Sequence, residues 1–405
     1  MLRTGLFTFT IVMIAAFALM APAQLPFPGT LPGTSIGGSL SFGYETSGVV
    51  WHTRHQRLFI VDDGGKVTSL LPDGSDVQSI TLAGDLEGIC VADPDSSFVY
   101  VADEGAGTII ELDLSTGLPT RTFFLGGLFT PPTNTGIEAL TFVNVATHPE
   151  GGFFLAGLQS NGRVYVFELS IKTSAVLETV NQVGVLNPAP GRSDISGLDY
   201  VPETLTIFAT YSCYGSCSEI RAFDIAGNSV GFWTLPGADQ EGIAHRGCQL
   251  FIAQDTLAPV NKLLRYEAFP AAPCITLEVD VPAISRLLGG TQVLSLDFGS
   301  AGANLAYAVL GTVSGTSPGF DVAGFHVPLQ PDFYFDLTLH SPASVPLFPP
   351  RGFLDANGTA LVSFILPLGL PPIVDGAILY HAAFLVDTSP SLVAASNAAP
   401  LTITP

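Results

Sequence analysis

The feature that most limits what this chain can become is a local pattern that returns five times. A small residue, often preceded by an acid, opens an apolar run; a turn follows, then a second apolar run, then a more polar alternating segment. DLEGICVADPDSSFVYVADEG (85–105) and DQEGIAHRGCQLFIAQD (239–255) show it most plainly. Aligning Gly48, Gly88, Ala139, Gly197 and Gly242 gives steps of 40, 51, 58 and 45 residues. Self-similarity at this period, with several strands per copy, belongs to radial arrays of four-stranded blades.

Within each copy, LFIVD, FVYVAD, FFLAG, TIFATY and LFIAQD read as buried second strands. KVTSLL, TIIELDL, RVYVFEL, EIRAFDI and KLLRYEAF read as third strands with more alternation. DGG, EGAG and SNG mark turns. The expectation is a β-propeller over residues 39–270 with five blades, or six if SIGGSLSFGYE (35–45) assembles another. The stretch 24–38 is rich in Pro and Gly and reads as a spacer.

Composition shifts at AFPAAPC (268–274). Residues 271–405 carry nine acids and two arginines, and QVLSLDFG, LAYAVLG, ALVSFILP, ILYHAAFLVD and LTITP alternate or run apolar between turn signals. They predict a C-terminal β-sandwich over 275–405. Phe333, Tyr334 and Phe335 are read there as alternating residues of a strand, and Asn357-Gly358-Thr359 as a hairpin turn that also matches a glycosylation acceptor. GTVSGTSPGF and ASNAAPLTITP resemble small C-terminal modules of secreted bacterial proteins. The fold class expected is all-β: a five- or six-bladed propeller followed by a sandwich.

Arg3, the apolar run LFTFTIVMIAAFALM and APAQ have the grammar of a secretory signal over residues 1–23, cleaved between Ala23 and Gln24. The expected location is extracellular or cell-surface, with the periplasm as an alternative, and no membrane span after cleavage. Without Arg3, 13 basic residues face 35 acidic ones, a net charge near −22. That balance argues against nucleic acid or an anionic membrane surface as partner. Five cysteines suit an oxidising compartment. Cys213 with Cys217 and Cys248 with Cys274 are the expected pairs, leaving Cys90 as a buried thiol.

In a propeller the first strand of each blade lines the channel, and its leading residue stands at the mouth. Those residues are Ser47, Glu87, Glu138, Ser196 and Glu241. Three glutamates on one axis repel unless protonated or bridged by a cation. Clustered carboxylate oxygens suit Ca²⁺. The candidate metal site is therefore Glu87, Glu138 and Glu241, with Asp85 and Asp239 contributing from two residues upstream; Asp194 holds the same upstream position. A second acidic set, Asp62, Asp63, Asp103, Glu104 and Asp255, ends the second strands and reads as turn chemistry.

The forms DLEGI, VADEGAG, ISGLDY and DQEGI resemble those of the SdiA-regulated (YjiK-like) secreted β-propellers and, more distantly, esterase-like phytase propellers. The resemblance covers about residues 40–270 and implies a calcium-associated propeller. Ala139 and Ser47 depart from the pattern. The functional expectation is an extracellular binding module that engages an unidentified ligand or protein at the propeller rim. The alternative is a Ca²⁺-dependent hydrolase of esters, lactones or phosphoesters at the channel mouth, with His52, His55 or His245 as candidate base. No Lys/Arg cluster for phosphate accompanies it, so catalysis is the lesser expectation and no catalytic residue is assigned.

Overall fold

A computed structural model describes residues 24–405 except 42, 130–134, 214–216, 256–261, 272–274, 323–324 and 387–391. The expected signal, residues 1–23, and Cys274 with its expected bond to Cys248 lie outside the described residues. Five four-stranded antiparallel sheets account for the repeats. Blades I to IV span 46–81, 86–124, 137–186 and 195–234, each read from inner to outer strand in chain order. Blade V takes three strands from 240–266 and its outermost strand from the other end of the chain, where Thr34 pairs with Arg265 and Ser35 with Leu264.

This closure corrects two expectations. Residues 35–45 build no sixth blade, and 24–38 is not a free spacer. Leu25 bridges Trp233 on the outer strand of blade IV, and Phe27 packs edge-on against Tyr266 at 4.8 Å. Across the seam, Thr46 Oγ1 donates to the carbonyls of Gln254 at 2.6 Å and Lys262 at 2.8 Å. A ring whose last blade borrows a strand from the first part of the chain cannot open without breaking that sheet as well.

The apolar runs bury themselves between blades rather than in one central core. Val61, Val67, Ile89 and Val101 fill the space between blades I and II; Leu198, Ile207 and Leu155 fill that between III and IV. At the axis the inner strands come so close that only small residues fit. A Cβ on Gly242 would stand 2.7 Å from both Ser47 O and Val49 N, and one on Gly48 would stand 2.5 Å from Glu87 O. Backbone cannot yield as a flexible side chain can, which explains the small residue at the start of each copy. The void left on the axis is about 10 Å³, at the threshold for a single water, so the channel is pinched into two separate mouths.

The C-terminal sandwich packs the sheet of 276–279, 290–297, 347–348 and 359–366 onto a second sheet containing 306–312, 378–386 and 399–404. Leu294, Leu296, Val362 and Phe364 from one side meet Val309, Leu385, Leu401 and Ile403 from the other. The strand expected at Phe333–Phe335 is instead the first turn of α1 (Phe333–His340). Asp332 caps it by accepting from Phe335 N at 2.8 Å. Tyr334, Leu337 and Thr338 then form an inward stripe at helical spacing: Tyr334 OH lies 2.9 Å from His381 Nε2, and Thr338 Oγ1 accepts from Gly311 N. Asp355 organises the expected turn at Asn357-Gly358-Thr359 through bonds from Asn357 N and Thr359 N. Among the described residues no helix is long and apolar enough to cross a membrane.

Candidate metal centre

The leading residues of the inner strands reach the axis because each strand bulges there. The pairing with the second strand slips between Thr46 and Val49, Leu86 and Ile89, Ile137 and Ala139, Ile195 and Gly197, and Gln240 and Ile243. A bulge re-aims the side chain it carries. Five bulges at equivalent positions turn Ser47, Glu87, Glu138, Ser196 and Glu241 to the upper mouth.

Glu87 and Glu138 are buried and Glu241 half-buried. Burial pushes the Glu138 carboxyl up to about 9, with Glu104 and Glu241 adding repulsion. Burial likewise holds Glu87 well above the usual range, next to Glu138, Asp63, Asp85 and Glu104. It does the same to Glu241, near Glu87, Asp255, Asp63 and Asp239. The three glutamates expected to converge do converge. Asp85 stands against the side chains of Glu104 and Glu87, and Glu104 in turn against Glu138. Without a cation, carboxyl groups can stand in such a chain only while some hold protons. Asp239 stands at the edge of the group, near Glu241 and Asp255.

The second acidic set divides. Asp62 does turn work, accepting from Lys66 N at 2.8 Å, and Asp103 holds the neighbouring turn through Ala106 N and Asp85 N. Asp63, Glu104 and Asp255 are different, for they face the cluster. Ligand oxygens of Asp63, Asp85 and Glu87 lie within 4.8 Å of one another, and Ser47 Oγ donates to Asp63 Oδ1 at 2.5 Å. Glu104 is buried and accepts from Gly136 N, the residue that introduces blade III. In the sequence Asp63 is masked by its place in DDGG. The one available signal was that Ser47 leaves a gap at the mouth of blade I that a neighbouring acid can fill.

Asp85, Asp194 and Asp239 hold the upstream position without sharing a regular strand face with the residues that lead the inner strands. They precede the bulge, which breaks the period of two, and Asp194 and Asp239 have positive φ of 65° and 54°. Asp tolerates that conformation better than most residues. Their shared role is backbone anchoring: their carbonyls accept from Glu104 N, Ser212 N and Asp255 N at 2.8–3.0 Å, tying down the end of each second strand. Asp194 pairs with Arg192 instead of joining the glutamates.

None of the cluster's charged neighbours is a histidine. His245 is four residues beyond Glu241 on the same strand, roughly 13 Å along it, at the opposite end of the channel. His52 and His55 likewise sit at the far end of blade I, ring against ring at 4.6 Å, with burial lowering both. The donors at the upper mouth are therefore carboxylates and hydroxyls, a hard oxygen set suited to Ca²⁺, Mg²⁺ or Mn²⁺ rather than to zinc or copper. Beside this mouth Cys213 and Cys217 form a disulfide, Cα atoms 5.8 Å apart, and Cys90 is a buried free thiol.

No family model matches the chain, and no curated protein does either. Among solved structures it is similar to Kuenenia stuttgartiensis hydrazine synthase at 13% identity, covering 58% of this chain and 58% of that one, with a TM-score of 0.34. It is similar to a chain of the nidogen/laminin complex at 12% identity, covering 52% and 72%, with a TM-score of 0.36. A third likeness is to the β-propeller domain of Myceliophteria thermophila Cps50 (Swd1), at 11% identity, covering 55% and 83%, with a TM-score of 0.34. The fold is all-β, a propeller followed by a sandwich.

Proposed function

We propose that this protein is a secreted binding module of the YjiK-like kind, whose propeller holds a calcium ion at its acidic mouth and presents that rim to an extracellular ligand or protein. One observation carries the reading: Glu87, Glu138 and Glu241 come from three different blades and meet with Asp63 and Asp85, while Lys262 neighbours only Asp255 at the edge among the described residues of the site. A cation there would neutralise repulsion that otherwise keeps protons on buried carboxyls. Glu87, Glu138, Glu241, Asp63 and Asp85 would hold it, with Asp239 and Asp255 at the edge. Ca²⁺ fits better than Mg²⁺ because it accepts six to eight oxygens in irregular arrangement. What it would supply is a cross-link between blades and a positive centre for acidic or carbonyl groups of a partner. The Cys213–Cys217 disulfide supports an oxidising location.

The test is elemental analysis of the purified mature protein together with thermal melts before and after EDTA. One Ca²⁺ per chain and a lower melting temperature after chelation are expected, followed by recovery of a consistent partner from secreted and surface material. No bound metal and an unchanged melt would reduce the acids to blade architecture. Calcium-dependent turnover of an ester, lactone or phosphoester, abolished by Glu87→Gln, would replace the binding reading with the hydrolase.

A further inference from the structure

The lower mouth of the channel opens into a cavity of about 210 Å³. In four blades the second residue past the small marker lines it: Val50, Cys90, Thr141 and Asp199. The sandwich closes it from below, with Ser317 on its wall. The two parts are pinned together beside it. Asp95, on a propeller turn, accepts from Thr316 N at 2.6 Å, Thr316 Oγ1 at 2.9 Å and Ser317 N at 3.2 Å, while Arg54 Nη1 donates to Asp95 O at 2.7 Å. A cleft between two docked parts is a favoured place for a small-molecule site.

The charges on its wall are already matched. Asp199 Oδ2 accepts from the backbone N–H of His245 and from its ring Nδ1, each at 2.8 Å. The Arg246 guanidinium lies 4.8 Å from the Trp51 ring centre and bonds Glu278 Oε1 at 3.0 Å. Glu203 stands on an exposed turn with His326 of the sandwich beside it. The neutral polar groups are not matched. Among the described residues, no hydrogen bond engages the side chains of Thr141, Asn144, Tyr200 or Ser317, all of which line the cavity. Thr141 is only 4% exposed. Its hydroxyl, unlike that of Thr108, is not sealed in protein and opens on the cavity. A buried hydroxyl without a partner is costly, and here a ligand can supply one.

We propose that this cavity binds one ring of a neutral, hydroxyl-rich ligand, a monosaccharide or the end unit of a glycan, with its hydroxyls on Thr141, Asn144 and Tyr200 and its apolar face against Trp51 and Phe142. Hydroxyl and amide groups each donate and accept, so the unspent groups of this wall can serve a ring of hydroxyls in either sense. An ion of either sign finds no uncompensated charge there. A wholly apolar ligand would leave the same groups buried and unpaired. The cavity is smaller than the about 300–1,000 Å³ of sites for drug-sized molecules, which sets the occupant at one ring.

The test is titration of the full chain in calcium buffer, by calorimetry and ligand-observed NMR, with glucose, galactose, mannose and N-acetylglucosamine. The methyl glycoside, amino sugar and uronic acid of the best binder follow, with cyclohexanol as the ring poor in hydroxyls. At least one neutral sugar is expected to saturate the protein below about 10 mM. Its charged relatives and cyclohexanol should bind at least about tenfold more weakly. Equal binding of the methyl glycoside points to a glycan end and its loss to the free sugar; both support the site. Tyr200→Phe and Thr141→Val each remove one oxygen and should weaken the sugar about three- to tenfold. Neither should lower the melting temperature, since neither hydroxyl has a partner among the described residues; a merely structural role would give the reverse. No saturation by any of the four sugars up to about 10 mM, a charged sugar or cyclohexanol binding as tightly as the neutral one, or unchanged affinity in both variants would overturn the proposal. The calcium reading is untouched by any of these outcomes, since the pinched axis separates the two mouths.

Discussion

Glu138→Gln should change the sign of its effect with calcium. Without metal, Glu138 keeps its proton up to about pH 9 in the folded protein, whereas in the unfolded chain it ionises near 4.5. A folded pKa raised in this way contributes stability that is fully present below the unfolded pKa and is lost as pH rises towards the folded one. Between pH 5 and 8 the chelated protein should thus lose stability by up to about 1.4 kcal/mol per pH unit from this group alone. At pH 7 that amounts to at most about 3 kcal/mol, an upper bound that relaxation and entering water reduce. Glu87 and Glu241 are raised for the same reasons and push in the same direction. Glutamine has no charge to suppress. In EDTA at pH 8 the variant should be more stable than the parent by about 1–3 kcal/mol, and the difference should vanish at pH 5. In excess Ca²⁺ it should be the less stable of the two at every pH, having lost a ligand. Urea melts at four pH values, with and without calcium, read all of this. A flat pH profile of the chelated parent between pH 5 and 8, or a variant weaker than the parent in EDTA at pH 8, would refute the reasoning.

The packing sets the outcome for four further variants. Gly242→Ala drives a methyl group into the backbone of blade I, at Ser47 and Val49, and should cost about 3 kcal/mol or more; Ala139→Gly should cost only about 0.5–1 kcal/mol, both read as urea midpoints. Asp95→Ala removes the acceptor of three bonds from the sandwich and should cost about 2–4 kcal/mol, with faster proteolytic cleavage between the two parts; unchanged proteolysis would mean the docking rests elsewhere. Arg121→Met leaves Glu111 buried against Tyr100 without its guanidinium partner and should cost about 3–5 kcal/mol. Because Arg121, Thr120 and Tyr100 together hold Glu111 below its ordinary value against the opposing effect of burial, its stabilisation exists above the unfolded pKa and is lost in acid. The parent should weaken below about pH 4, a limb that Arg121→Met shortens.

The blades were legible because each copy repeats two strongly apolar runs with turn residues between them, and five bulged inner strands stand where the small marker residues predicted. The closing strand was not legible from composition. Thr34 and Ser35 sit amid Pro and Gly, and only two residues pair. What could be counted instead was blade V: the fifth copy holds three strands before the composition changes at 268, so a ring of four-stranded blades lacks one. At Phe333–Phe335, three aromatic residues are too few to separate a period of two from a period of 3.6; the distinguishing sign was Asp332 with inward partners at 334, 337 and 338. Asp63 was hidden because an Asp before Gly-Gly is ordinary turn chemistry, and its neighbour Asp62 does that work.

Why only three of the five inner strands lead with glutamate follows from the same geometry. The bulges aim all five leading side chains at one small mouth, where each further glutamate would add repulsion among buried carboxyls. At the two remaining positions serine spends its hydroxyl inward. Ser196 Oγ donates to Gln240 O at 2.8 Å, binding blade IV to blade V, and Ser47 Oγ donates to Asp63 Oδ1, holding that carboxylate beside Asp85 and Glu87. Blade I therefore contributes its acid from the turn after the second strand rather than from the inner strand. The departure of Ser47 from the glutamate pattern does not break the acidic ring. It moves one carboxylate to a place where a hydroxyl can orient it.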